Sequence, residues 1–155
     1  ARLMKRESPT SKRSESGSSS RDKNQNKLER YFVTTNQSEY DDYLKLVKLI
    51  VKKVLNNDNE CDYMHPNYDI DNITVIDNGD WQGTLIFLIP QKTYQPSASE
   101  YLVTYSWYGS CSGCDTLQSI HQYRYGLPNE EQVNDYMTLC LHLVQRMKPL
   151  YDDLF

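Results

Sequence analysis

The chain has 155 residues, 17 Lys+Arg against 21 Asp+Glu and a formal net charge of −4, which leaves room for one domain and a tail and excludes a large multidomain enzyme. Hydrophobic residues make up 38%, below the about 45–50% usual for globular domains when glycine is counted in, so part of the chain is expected to be unfolded. No apolar run approaches the about 18–20 residues that span a bilayer, and no charged-then-apolar leader opens the chain, so the sequence reads as soluble and cytoplasmic with no membrane partner.

The charge is unevenly spread. Residues 1–30 hold nine basic and four acidic residues, net +5, whereas residues 31–155 hold eight basic and 17 acidic, net −9. Between Lys5 and Lys27 there is no Val, Ile, Leu, Phe, Trp or Tyr, and serines recur from Ser8 to Ser20. Such a stretch cannot bury enough apolar surface to offset its conformational entropy. The expectation is a disordered basic tail over residues 1–30, followed by a single acidic α+β domain over residues 31–155. The tail reads either as an arm for nucleic acid or an acidic partner, tuned by serine phosphorylation, or as an inert solvated segment.

The domain opens on Ser38, a good N-cap with Glu39, Asp41 and Asp42 in the first turn. Tyr40, Tyr43, Leu44, Val47, Ile50, Val51 and Val54 then recur at three- and four-residue steps, predicting an amphipathic helix that ends in Asn56-Asn57-Asp58-Asn59. After a polar loop, Ile70–Ile76 is β-branched and reads as a strand, and Asn78-Gly79 predicts a type I′ hairpin with positive φ at both residues. Trp81–Ile89 is the return strand, apolar on both faces in Leu85–Ile89, as for a central strand covered on both sides. A third strand, Tyr101–Tyr108, points Tyr101, Val103, Tyr105 and Trp107 one way. A short helix over Asp115–Tyr123 and a long one capped by Asn129 and Gln132 follow, the latter with a stripe of Val133, Tyr136, Met137, Cys140, Leu143, Val144, Met147 and Leu150 running to about Lys148. The fold class is therefore α+β: a three-stranded antiparallel meander packed with an N-terminal helix, a short helix and a long C-terminal helix.

Cys111 and Cys114 form Cys-x-x-Cys at the mouth of the short helix, where thiolates are stabilised by unpaired backbone N–H groups. Three readings stand side by side. The pair, with His121 nearby in sequence, could do thiol redox or nucleophilic chemistry. Cys61 and His65 could complete a zinc site with Cys111 and Cys114, although a meander puts the two pairs at opposite ends of a strand, roughly 20 Å apart. Or the segment is a tight strand-to-helix turn, with Gly109 and Gly113 giving the bend and Asp115 capping the helix while raising the neighbouring thiol pKa. Cys140 reads as a core cysteine and His142 as a partly exposed surface histidine.

Trp81-Gln82-Gly83, the run from Tyr108 to Gln118 (Y-G-S-C-S-G-C-D-T-L-Q) and the segment Leu141–Lys148 resemble a pattern in small phage- and prophage-encoded proteins of unassigned activity. The resemblance implies a viral accessory setting in the host-cell cytoplasm or with the virion, in which small acidic proteins bind and block host machinery. The leading expectation is a non-enzymatic protein with no cofactor. It binds a protein partner with a basic surface through Asp58, Glu60, Asp62, Asp69, Asp71, Asp77, Asp80, Trp107 and Tyr108, and so modulates nucleic-acid machinery. The competing expectation is a thiol-dependent redox enzyme or zinc-stabilised module centred on Cys111 and Cys114. The negative body itself is expected to repel DNA.

Overall fold

A computed structural model describes residues 20–57 and 66–150. The chain order is helix α1 (Ser20–Thr34), a 3-10 turn (Gln37–Tyr40), α2 (Tyr43–Ile50) running on as a π-helical turn (Val51–Leu55), strands β1 (Thr74–Gly79), β2 (Gly83–Pro90) and β3 (Tyr101–Tyr108), helices α3 (Thr116–His121) and α4 (Glu130–Gln145), and a short strand β4 (Lys148–Pro149). The α+β class holds, with four strands in place of the expected three. The sheet order is β1-β2-β3-β4, all antiparallel, because the chain beyond α4 returns to pair with Leu102 and Val103 on the outer edge of β3.

Helix α1 moves the start of the domain into the expected tail. Its early residues are polar, but Leu28 and Phe32 lie one helical turn apart and are both buried. Phe32 stacks on Tyr136 with ring centroids 5.3 Å apart and meets Tyr40 edge-on at 4.9 Å. Tyr31 packs beside them and the Asn24 amide donates to the Val54 carbonyl at 3.0 Å, so a few contacts dock an otherwise polar helix. Residues 1–19, the rest of the expected tail, lie outside the described residues.

The helix expected from Ser38 is broken in two. Asn36, not Ser38, caps the 3-10 turn by accepting from the Ser38 N–H at 3.0 Å, and Asp42 restarts the helix by accepting from the Lys45 N–H at 2.8 Å. From there Tyr43, Leu46, Val47, Leu49, Ile50 and Val51 are buried as one face. The breaker run does more than stop the helix, since Asn56 bonds both the N–H and the carbonyl of Tyr68 and so ties the end of the π-helical turn to the approach to β1.

Ile70–Asn72 form a 3-10 turn rather than strand, because Asp69 takes the Asp71 N–H and the Asn72 amide and turns the backbone locally. The hairpin is present but its turn is Asp80-Trp81-Gln82, with Gly79 paired to Gly83. Neither Asn78 nor Gly79 has positive φ, so the type I′ expectation fails. The two glycines serve a close approach instead: a Cβ on Gly79 would sit 2.2 Å from the Gln82 carbonyl oxygen, and one on Gly83 2.4 Å from that of Asn78.

Among the described residues, strand β2 packs against the core on one side only. The register puts Leu85, Phe87 and Ile89 on the face with Leu102, Thr104 and Ser106, and there Phe87, Ile89 and Thr104 are fully buried. Thr104 donates to the Leu143 carbonyl at 2.8 Å, which fixes α4 on this face. The opposite face carries Thr74, Ile76, Thr84, Ile86, Leu88, Val103, Tyr105 and Trp107, and none of these is buried. The continuous apolar run of β2 therefore reflects a core on one side and an open hydrophobic face on the other.

Helix α4 starts with the full capping box expected of Asn129 and Gln132 and buries Val133, Tyr136, Leu139, Cys140 and Leu143. It ends at Gln145, short of Lys148, because Lys148 and Pro149 are drawn into β4. Among the described residues, no helix is long and apolar enough to cross a membrane.

Candidate functional site

Tyr108 lies opposite Gly83 and Trp107 opposite Thr84, so the β1–β2 turn and the segment after β3 leave the same end of the sheet. Here the chain reverses through Cys111–Cys114. Gly109 permits the reversal: a Cβ at that position would stand 2.4 Å from the Cys114 carbonyl oxygen and 2.9 Å from its sulfur. The Cys114 N–H donates to the Cys111 carbonyl at 3.1 Å and closes the turn.

Asp115 holds the turn to the core. It is the expected N-cap of α3, accepting from the Gln118 N–H at 3.1 Å, and its buried carboxylate also accepts from the Gly109 N–H at 3.0 Å and the Tyr43 hydroxyl at 2.9 Å. Tyr43 in turn accepts from the Leu117 N–H at 3.2 Å, so α2, the cysteine turn and α3 meet in one buried network.

The two thiols are exposed, with their sulfurs 2.7 Å apart. The Cys111 thiol beside Cys114, together with the Ser110 hydroxyl and the Cys111 N–H, holds the Cys114 thiol below its usual value. This reverses the expected influence of Asp115, whose charge is turned inward and met by three donors. Helix α3 has only six residues, and the stabilising donors belong to the turn rather than to the helix.

His121 is buried, with Nδ1 accepting from the Tyr123 N–H at 3.0 Å and the ring stacked near Tyr125 at 5.9 Å. Among the described residues its Nε2 has no hydrogen-bond partner. Among the described residues no three His, Cys, Asp or Glu side chains are grouped to hold a metal, so His121 does not join Cys111 and Cys114 as a third ligand. Cys61 and His65, the other half of the expected zinc set, lie outside the described residues. Cys140 is buried, as expected, and burial pushes its thiol pKa up; His142 is exposed.

Of the expected acidic cluster, Asp58, Glu60 and Asp62 also lie outside the described residues. Asp69 and Asp71 stand just before β1, Asp77 near its far end and Asp80 in the hairpin turn. Tyr108 donates to Asp77 at 2.6 Å, a bond to a carboxylate that pushes the phenol up to about 12. Strand β1 thus carries acidic residues at both ends of an exposed edge.

The open face has its own centre. Trp107 is 59% exposed and meets Tyr105 edge-on with centroids 5.3 Å apart. The Arg146 guanidinium lies 5.3 Å from the Tyr105 ring and 5.0 Å from the Trp107 ring, and donates to the Tyr105 carbonyl at 3.2 Å on the free edge of β3. Sequence reasoning singles out Trp107 but misses Arg146, which is distant in the chain and reaches β3 only because α4 stops one residue before it. No family model matches the chain, and no curated protein or solved structure matches it.

Proposed function

We propose that the chain is an accessory protein of the phage-like kind its motifs resemble, binding a protein partner with a basic surface through the open face of its sheet. The observation that carries this reading is the Trp107–Tyr105–Arg146 cluster on a face where Thr74, Ile76, Ile86, Leu88 and Val103 are all left at least partly exposed. Trp, Tyr and Arg are the side chains that dominate interface energetics, and here the three contact one another. Around them Ile76, Ile86, Leu88 and Val103 supply apolar area that a partner would desolvate.

Charge complementarity selects the class of partner. Residues 31–155 carry a net −9, and Asp77 and Asp80 stand at the end of the sheet from which Trp81 projects, 82% exposed. A basic protein would be steered to this rim before the aromatic centre locks the complex. Proteins of nucleic-acid machinery have such surfaces, and the basic N-terminal segment offers a contact of opposite sign to an acidic partner or to nucleic acid.

The test is capture from host-cell extract with the full chain and with Trp107→Ala/Arg146→Ala in parallel, followed by titration of the recovered protein. The reading requires a basic partner that binds the full chain, weakens as salt rises and is bound at least about tenfold more weakly by the double variant. Equal binding by both, or no salt dependence, rejects it.

A further inference from the structure

We propose that Cys111 and Cys114 form a redox-active dithiol that reduces disulfide bonds, with Cys114 as the attacking sulfur and Cys111 as the resolving one. The inference is independent of the binding reading, since it rests on a different set of residues. Four observations carry it. The sulfurs are 2.7 Å apart, beyond the about 2.05 Å of a formed bond but close enough that a small closing movement joins them. Both are exposed, so a substrate sulfur can reach them. Cys114 receives the Cys111 N–H at 3.2 Å and has the Ser110 hydroxyl at 3.8 Å, donors that stabilise a negative sulfur. The turn is fixed from below by Asp115, buried and held by Tyr43, Gly109 and Gln118, so the pair is presented on a rigid mount.

A structural role for the pair accounts for these facts less well. A cysteine kept only for packing is buried and raised in pKa, which describes Cys140 in this same chain. Cys111 and Cys114 are opposite in exposure, and Cys114 is opposite in the direction of its shift.

In the exchange, the Cys114 thiolate attacks one sulfur of the substrate disulfide, forming a mixed disulfide and expelling the other substrate sulfur as a thiolate. Cys111 gives up its thiol proton and attacks the Cys114 sulfur, which releases the first substrate sulfur. Two electrons pass from the dithiol to the substrate, the Cys111–Cys114 bond forms, and the two released sulfurs take up the Cys111 proton and the one Cys114 had lost to solvent. A polypeptide disulfide and a small disulfide present the same chemistry to the pair.

The experiment treats the reduced full chain with oxidised glutathione or with a disulfide-linked peptide, then quenches by alkylation and maps the cysteines. The expected result is two thiols released per disulfide consumed, with Cys111 linked to Cys114 and Cys140 untouched. The Cys111→Ser variant stops at a mixed disulfide on Cys114, and Cys114→Ser reacts about tenfold more slowly. Faster reaction of the peptide assigns a polypeptide substrate; equal or faster reaction of glutathione assigns a small one. Recovery of both thiols free from both disulfides overturns the proposal, as does equal reactivity of the two variants. Should either variant fail to fold, the stoichiometry and the mapped linkage of the unsubstituted chain decide alone.

Discussion

Gly109 is the residue whose replacement most directly tests how the cysteine turn is built. Its Cβ position is filled by the backbone carbonyl oxygen and carbon of Cys114, at 2.4 and 2.6 Å, so Gly109→Ala must push the turn outward. The expected cost is about 1–3 kcal/mol in urea unfolding, together with a changed alkylation rate at Cys114. Asp115 separates capping from charge. Asp115→Asn keeps the oxygen that accepts from Gln118 and Tyr43 but sets its amide nitrogen against the Gly109 N–H, whereas Asp115→Ala removes the cap and strands the Tyr43 hydroxyl too, and should cost about 1–3 kcal/mol more. Cys114 supplies a pH signature. Its folded pKa lies below the unfolded one, so its contribution to stability is present above the unfolded value and is lost as pH falls through the folded one. Alkylation of Cys114 should accordingly reach half its maximal rate at a lower pH than that of an unfolded peptide of the same sequence; the same or a higher midpoint would contradict the hydrogen bonding described. The Cys-x-x-Cys pair and the Asp115 cap are legible in the sequence because their partners lie within a few residues. The Tyr43 contact, 72 residues away in the chain, leaves no local trace.

Helix α1 shows how an element escapes sequence reasoning. Its polar first half reads as tail, and the burial of Leu28 and Phe32 depends on aromatic partners contributed by Tyr40 and Tyr136. Phe32→Ala should cost about 3–5 kcal/mol if α1 is part of the domain. Val33→Ala, one position along and 50% exposed, should change stability by no more than about 0.5 kcal/mol. Equal effects from the two would mean that α1 does not pack as described. The other helices are easier to read, since α2 and α4 carry long apolar stripes of helical period and α4 a complete capping box. Strand β3 is legible at both ends, because aromatic and β-branched residues alternate with polar ones and Gly109 stops the run. Strand β4 is invisible to such reading: two residues containing a proline have no periodicity, and only the free edge of β3 makes them a strand.

At the scale of the whole molecule, the sheet divides two kinds of aromatic surface. The 13 tyrosines of the chain suggest an interface, yet Tyr40, Tyr43 and Tyr136 lie under the sheet or beside α1 as core, and Tyr105 sits with Trp107 on the open side. Composition cannot distinguish these positions; only the register and the packing of α2 and α4 do. The core tyrosines keep their hydroxyls satisfied, Tyr136 donating to Gln37 at 2.6 Å, Tyr40 to the Thr35 carbonyl at 3.1 Å and Tyr43 to Asp115 at 2.9 Å. Burial pushes all three phenols up from their ordinary range, chiefly by desolvating the phenolate. A group raised in the fold stabilises it fully below its unfolded pKa and ceases to do so as pH rises toward the folded one. The domain should therefore hold its stability up to about pH 10, where unfolded tyrosine ionises, and lose it steeply above. Urea midpoints measured in steps through this range test the decline. Near-ultraviolet tyrosinate absorbance should show exposed tyrosines titrating first and a second rise coinciding with loss of helical circular dichroism. Tyr136→Phe should lower stability at neutral pH by about 1 kcal/mol and make the alkaline decline shallower, because it removes one phenol that the unfolded chain would ionise. Full tyrosinate absorbance from a chain that is still folded would contradict a core built on buried phenols.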